Sequence, residues 1–593
     1  MLTPRPVPGL AAPAPGPTPP QRAGWGRVAG AALLLAVMAL LLAYLLTPYP
    51  ALRDWYLRRT PYLYRAAAWP RDFFTPAVKA RGNLLAALAL VALVGVGAYG
   101  WWARPRQPDA TAPPLRLLSR ADRPWLAGLL LLAAGLWAWG ATQVPPAYDE
   151  VFSAVYCAGN ESLLATWSYY MLPNNHVLFN LLNGGLFGWP HRLPWLVPTG
   201  RLLSGLAYAG TLAVVYRLVA GLTGRRGVGA LLAVLAGLQF SLWGFGFQAR
   251  GYALYALLHW VAVGTLLAHW RQPRQNKWLI INMLAVAAGY AVVPTFLFYH
   301  AAQLLAGAAV QLRQRRFDGR FWRCQVGALA LAGAFYLPII GFSGLAALAA
   351  NPYVRPFGGS LAEFIVKAWP DVKSYAPYAF GEIGLGPWPA YILILLPLTL
   401  LAHRRYWQLG LLYLAWLLAV AGGTLGLRHV IFHRNLLAFF SLAVVLAPLT
   451  VGAWLGRWRP WAGLAGALVV LGGVGLGFVR HNPVREPLAL YYFDLPAGFD
   501  AARQRLAKLP GGAASVAFSE ESFYPYFLYR RAGHLAPHPA QRPAPAANYF
   551  ITAPNDALPP ALAGRYQPVD TVGTYRLWRR QLKQTADNKA FDR

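Results

Sequence analysis

Two adjacent carboxylates, Asp149 and Glu150, follow directly on an apolar run, Leu126 to Val144, that is long enough to cross a bilayer. They close the stretch Pro145-Pro146-Ala147-Tyr148-Asp149-Glu150, in the first turn past a membrane face. A carboxylate there is costly unless it is solvated, paired, or engaged by a cation or a substrate. In a site it can orient or deprotonate an incoming hydroxyl or amine. Asn174, Asn175 and His176 come next, just ahead of the apolar stretch Val177 to Phe187. Asn caps helices well, so this cluster caps that helix, lines a site at its end, or does both. Cations complete the set. Arg250 interrupts nearly continuous apolar sequence from Val228 to His269, and Arg428, His429, His433 and Arg434 cluster at the end of another apolar run. Each group has an ordinary reading when taken singly. Acids can mark the end of a span, a lone Arg can snorkel to headgroups, and His300 can hydrogen-bond a neighbouring helix. Together they are the parts that transfer of a group from a lipid phosphate needs: a base, an arginine clamp on the departing anion, and access from the bilayer.

The elements that must position these residues are membrane helices. Of the 593 residues, 57% are hydrophobic and 12% charged. Apolar runs recur from Ala29 to Phe478, giving about thirteen spans of roughly 20 residues each. The expected fold is therefore an all-α polytopic membrane protein, followed by a small soluble α/β domain. The formal charge of +33 does not imply a nucleic-acid partner, because the basic residues sit in short clusters between apolar runs and no basic-aromatic module is present. Cys157 and Cys324 fall on opposite membrane sides and form no disulfide framework or metal site.

Four segments follow from this pattern. Residues 1–24 form a Pro- and Ala-rich tail, 25–123 an N-terminal pair of spans, 124–480 the main membrane core, and 481–593 the C-terminal domain. Basic clusters fall in alternate loops: Arg104 to Arg123, Arg225 and Arg226, Arg271 to Lys277, Arg313 to Arg323, Arg404 and Arg405, Arg457 and Arg459. All are cytoplasmic if Asp149 is outside, and the C-terminal domain is then outside too. The basic stretch 48–82 breaks the rule: either it lies along lipid phosphates, or one of its flanking runs does not span. In the C-terminal domain the pattern predicts a helix at Phe499 to Leu509 and strands at Ser515 to Ser519, Tyr549 to Thr552 and Thr574 to Trp578.

The residue order Tyr148-Asp149-Glu150, Pro173-Asn174-Asn175-His176, Leu186-Phe187-Gly188, Gly200-Arg201-Leu202-Leu203-Ser204-Gly205, Thr223-Gly224-Arg225-Arg226 and Gln248-Ala249-Arg250-Gly251-Tyr252 resembles bacterial GT-C glycosyltransferases. Within that class it is similar to family 39, which groups protein O-mannosyltransferases with aminoarabinose transferases. The resemblance spans roughly residues 124–480 and is most specific between 145 and 270. It implies a polyprenyl-phosphate-linked sugar donor, an acceptor in the cell envelope, and an inverting transfer on the outer face of the bacterial inner membrane. It makes Asp149 the catalytic carboxylate with Glu150 beside it, and puts Arg250, Arg428, His433 and Arg434 near the donor phosphate. Tyr148, Asn174, Asn175 and His176 are the candidates for positioning substrate. Some relatives bind a divalent metal and others do not; Glu150 and His176 are the candidate ligands here. The chain departs from the family in having Gln248 before Ala249-Arg250, and His433-Arg434-Asn435 where relatives are nearer Arg-Tyr.

Two other classes compete. A lipid or saccharide transporter predicts an internal repeat and ionisable residues at mid-span, whereas the polar residues here concentrate at span ends. A structural scaffold predicts that Asp149 and Glu150 can be removed without consequence.

Overall fold

The computed structural model describes residues 24–59, 69–102, 119–159, 162–170, 175–187, 193–273, 275–349, 356–380, 388–458, 465, 468, 472–473, 475–486, 516–518, 549–552, 558, 560–572 and 575–581. The N-terminal tail, Asn174 and the helix expected at Phe499 to Leu509 lie outside this set. Two compact units emerge: Met1–Pro48 with Asn83–Pro108, and Tyr49–Gly82 with Asp109–Arg593. The first holds α1 (Gly24–Leu46) and most of α3 (Pro76–Trp102), whose side chains Leu84, Leu88 and Val91 are exposed as lipid-facing residues must be.

The second unit begins with α2 (Tyr49–Arg58) and a π-helical turn at Trp69–Phe73. Tyr56, Trp69, Phe74 and Phe342 form one aromatic cluster in which Tyr56 and Phe74 each stack on both Trp69 and Phe342, with ring centroids 4.4–5.4 Å apart. The Tyr56 hydroxyl accepts a hydrogen bond from Ser168 Oγ. The basic stretch is thus packed by its aromatic residues, while Arg58, Arg59, Arg71 and Arg81 remain exposed. α4 (Arg123–Gln143) leads into α5 (Tyr148–Phe152). Short helices α6 (Leu163–Ser168) and α7 (Val177–Phe187) precede the long α8 (Leu193–Thr223). α9 (Arg226–Leu238) and α10 (Phe240–Gly246) are bent by 74° where Gln239 breaks the ladder. α11 (Tyr252–Arg271) packs on α12 (Asn276–Val292), which packs on α14 (Gly319–Ser343), while α13 (Phe296–Arg313) packs chiefly on the later helix Trp407–Leu427; α15 (Leu345–Ala349) and α16 (Leu361–Phe380) follow. α17 (Trp388–Leu395), α18 (Trp407–Leu427) and α19 (Leu437–Trp458) complete the bundle.

The protein is a multi-pass membrane protein. Among the described residues seven helices are long and apolar enough to cross a membrane, or nine if each bent pair is one span. The sequence suggests about thirteen because it registers apolar runs only, whereas some fold as broken or shorter helices such as Asn276–Val292 and Tyr391–Ala402. The last run, Trp461 to Phe478, lies largely outside the described residues. The span His433–Trp454 is 83% buried against 17% for Arg120–Gln143, so α19 is the central post and α4 faces lipid. Between helices α12, α13 and α14 sits a polar knot. Gln303 Nε2 donates to Asn282 Oδ1 at 2.7 Å, and His300 Nε2 pairs with Gln325 Oε1 at 3.0 Å. Such groups bind helices together where lipid offers no partner.

The C-terminal region forms a four-stranded sheet in the order β1-β2-β4-β3, from β1 (Val516–Phe518), β2 (Tyr549–Thr552), β3 (Tyr566–Val572) and β4 (Tyr575–Arg580). β1 runs parallel to β2, and the other pairs are antiparallel, with Phe550 opposite Trp578. Phe550, Leu562 and Tyr566 make its core. β3 is the strand that the sequence pattern missed. Pro568 interrupts its ladder, and the register shifts between Pro568 and Asp570.

Candidate active site

Pro145 and Pro146 stop the first helix, and the chain restarts at Ala147 with α5. Glu150 lies in the first turn and reaches back, so that the Ala147 amide donates to its Oε2 at 2.7 Å. Ser153–Ala158 continues as a π-helical turn, a form frequent at functional sites. Successive residues of a helix point about 100° apart. Asp149 and Glu150 therefore face different surroundings, and the structure gives them different jobs.

Glu150 is fully buried and faces Arg201 of α8. Arg201 Nε donates to Glu150 Oε1 and Nη2 to Oε2, both at 2.9 Å. Arg201 Nη1 donates to the carbonyls of Ala141 and Val144 at 2.8 Å, and Nη2 to that of Pro145 at 3.1 Å. All the guanidinium N–H donors are used. The Ala249 amide donates to Glu150 Oε1 at 2.6 Å. One ion pair thus fastens the end of α4, the start of α5, α8 and the turn before α11. Arg201 is the residue that sequence reasoning passed over as a site element. Its signal was an arginine, in Gly200-Arg201-Leu202, inside an otherwise apolar span.

Asp149 points the other way, into a group of cations. Its Oδ2 lies 3.6 Å from Arg250 Nη2 and 3.6 Å from Arg434 Nη1. Both distances are ionic contacts longer than a hydrogen bond. Arg250, from the turn before α11, is almost wholly buried. Its Nη1 donates to Ser153 Oγ at 2.9 Å and to the Asp149 carbonyl at 3.2 Å, and its own carbonyl accepts from Ser204 Oγ at 3.0 Å. Arg434 comes from the turn before α19 and is more open, with 26% of its side chain exposed. Tyr252 offers its ring to both guanidiniums, at 5.7 Å from Arg250 and 6.0 Å from Arg434. His176 meets the edge of the same ring at 4.5 Å. Burial, then the charges of Arg250 and Arg434, hold the His176 imidazole well below its usual pKa, so it is neutral. Its Nε2 has no hydrogen-bond partner among the described residues. Gly251 permits the close approach: a Cβ there would lie 2.9 Å from His176 Cβ and 2.7 Å from Val292 Cγ1.

Residues expected at one site are divided between several places. Asp149, Arg250, Arg434 and His176 come together, and Tyr252 joins them. Asn175 is a brace: its Nδ2 donates to the Tyr169 carbonyl and its Oδ1 accepts from Asn180 at 2.7 Å. Tyr148 stacks loosely on Phe152, at 5.9 Å. Arg428 and His433 contact the α16 segment. Arg428 Nη1 donates to the Gly359 carbonyl at 2.7 Å, and His433 Nε2 pairs with Ser374 Oγ. The donor set does not fit a divalent cation at Glu150 and His176. Arg201 and two amides occupy both Glu150 oxygens, and among the described residues no three of His, Cys, Asp and Glu cluster to hold a metal.

No protein-family model and no curated protein matches the chain in sequence. Solved structures do match in shape. ArnT from Cupriavidus metallidurans bound to undecaprenyl phosphate superposes with a TM-score of 0.50 at 13% identity, over 77% of this chain and 98% of that one. The chain has the GT-C fold. Other GT-C proteins resemble it more distantly. They include the oligosaccharyltransferase AglB from Archaeoglobus fulgidus, in complex with an inhibitory peptide and a dolichol phosphate, at TM-score 0.44 and 11% identity over 74% of this chain and 70% of AglB. The arabinosyltransferase EmbB from Mycobacterium smegmatis matches at TM-score 0.37 and 13% identity, over 70% of this chain and 47% of its own.

Proposed function

We propose that the protein is an integral-membrane glycosyltransferase that moves a sugar from a polyprenyl-phosphate donor to a hydroxyl or amine of an envelope acceptor, with inversion at the anomeric carbon. The observation that carries this reading is the Asp149 carboxylate, 19% exposed and set 3.6 Å from two arginines of different helices. Arg250 and Arg434 hold the phosphate, Arg250 rigidly through Ser153 and Arg434 from the open side. The acceptor's lone pair attacks the anomeric carbon, the bond from that carbon to the phosphate oxygen breaks, and its electrons leave on the polyprenyl phosphate. Asp149 takes the acceptor's proton. The leaving phosphate needs little protonation, so one carboxylate suffices. Glu150 and Arg201 are positioning residues, holding the turn that carries Arg250 against the helix that carries Asp149. His176 supplies a neutral ring beside the phosphate pocket. The resemblance of residues 145–270 to family 39 and the ligand-bound ArnT of the same fold support a lipid-linked donor. The alternating basic loops support an active face on the periplasmic side of a bacterial inner membrane, with the C-terminal domain on that side.

The test is transfer of labelled sugar from a panel of short-chain polyprenyl-phosphate donors by purified wild type and Asp149→Asn. Transfer by wild type, with a large loss in the variant and donor binding retained, supports the reading. Equal turnover by the variant removes Asp149 from the mechanism. Movement of lipid across vesicles with no sugar transfer favours a transporter instead.

A further inference from the structure

The C-terminal part of α16 joins the bundle core through Tyr375 and Ala379, while its N-terminal part, Leu361 to Pro370, stays outside it and serves no step of the proposed chemistry. Phe364 and Ala368 are its buried side, while Leu361, Ile365, Val366 and Trp369 are exposed at 46%, 50%, 74% and 48%. At about 100° per residue these four share an arc of about 140°. Lys373 lies on the edge of that arc with its Nζ 5.6 Å from the Trp369 ring. Lys367, on the polar side, holds its Nζ 4.8 Å from the Phe357 ring. An apolar arc that carries a tryptophan with a lysine beside it, and charged groups on the opposite side, is the composition of a helix lying at a bilayer surface.

The same helix grips the turn that carries Arg434. On its N-terminal side, the Phe357 amide donates to the Arg428 carbonyl at 3.0 Å, and Arg428 Nη1 donates to the Gly359 carbonyl. Toward its C-terminal end, Ser374 pairs with His433, and the Tyr375 hydroxyl donates to the Ile431 carbonyl at 2.5 Å. The turn is thus held at Arg428 by the segment leading into α16 and at Ile431 and His433 by the helix itself, and Arg434 next contacts Asp149.

We propose that α16 is seated in the phospholipid headgroup layer through Leu361, Ile365, Val366 and Trp369, and that this seat sets the position of Arg434. The occupant of the apolar arc is the bilayer itself. Lys373, beside Trp369, matches the headgroup phosphates, and the arc lies on a chain whose neighbouring helices already face lipid. The consequence for Arg434 rests on its proposed role at the donor phosphate; the seating does not.

The direct test is a spin label on Val366→Cys, in full-length protein with Cys157→Ala and Cys324→Ala, reconstituted in nanodiscs containing phosphatidylglycerol. Seating predicts relaxation by oxygen and protection from a water-soluble nickel chelate at position 366, with the reverse for Asp371→Cys. Equal access of the chelate to both positions overturns the proposal, as does spin–spin broadening at 366, which would mean a second copy covers the arc. If the cysteine-free background does not fold, a photocrosslinking residue at 366 substitutes. A lipid adduct is then the expected product, and a protein adduct or none overturns the proposal. The link to Arg434 is read separately with Val366→Asp, for which the donor KM should rise about tenfold in nanodiscs and be unchanged in detergent. An equal effect in both media overturns the link. If wild type transfers no sugar, the proposed function fails while the label still decides the seating.

Discussion

Replacing Arg201 by Met deletes five hydrogen bonds, two to Glu150 and three to the carbonyls of Ala141, Val144 and Pro145. It leaves the Glu150 carboxylate, fully buried, with only the amides of Ala147 and Ala249 as donors. Stranding one member of a buried ion pair costs about 3–5 kcal/mol. That is on the order of a hundredfold to a few thousandfold in the unfolding equilibrium. Arg201→Lys keeps the charge but cannot span two carboxylate oxygens and three carbonyls, so it should recover less than half of the loss. Glu150→Gln also damages the site, since an amide nitrogen must face a donor from Arg201 or the backbone. The assay is reversible denaturation in mixed micelles for wild type, both single variants and the double variant. The two substitutions should couple by about 2 kcal/mol or more, because they break one network. The double variant should not return to wild type, because three carbonyls lose their donor and at least one backbone amide loses its acceptor. Coupling under about 0.5 kcal/mol, or an Arg201→Met loss no larger than that of a surface pair, would refute the clamp.

Four further outcomes are expected. Asp149→Asn should lower kcat by about 10²–10⁴ with donor affinity retained, read by single-turnover transfer. Gly251→Ala should destabilise by about 1–3 kcal/mol, because its Cβ meets the roots of His176 and Val292 rather than flexible ends; denaturation midpoints measure it. His176 is neutral when folded and has a depressed pKa, so the unfolded chain binds more protons below the ordinary value of 6.5. Its contribution is fully present above that pH and is lost as pH falls, and His176→Gln should flatten the fall in stability between pH 6.5 and 5. Asn282→Leu should cost about 1–2 kcal/mol, seen as a lower midpoint, because Gln303 loses partners in a lipid-enclosed knot.

The fold was legible because membrane helices announce themselves by length and apolarity, and because Asp149, Arg250 and Arg434 are charges in places where charge is costly. Their meeting was readable from type and spacing. What separates Asp149 from Glu150 was not, since adjacent acids look alike until the angle between them is known and Arg201 is found across 51 residues. Arg428 and His433 illustrate a related point. A cation at a helix end suits a phosphate or a neighbouring carbonyl equally well, and here Gly359 and Ser374 are the neighbours. The missing strand Tyr566–Val572 carries Pro568 and Asp570, both poor strand formers, and gains its place from the ladder with Tyr575–Arg580. The bend after Leu238 is marked by Gly237, whose carbonyl accepts from the Tyr208 hydroxyl, and by Gln239, which leaves helical geometry.

The π-helical turn at Ser153–Ala158 has a further effect on how this chain compares with its kin. Such a turn winds more residues into each turn than an α-helix does, so the residues within it step round by a smaller angle than in an α-helix of the same length. Two proteins can then share a backbone path while their inward-facing positions fall out of step by one along the sequence. Aligning such chains residue by residue scores mismatches just where the three-dimensional agreement is closest.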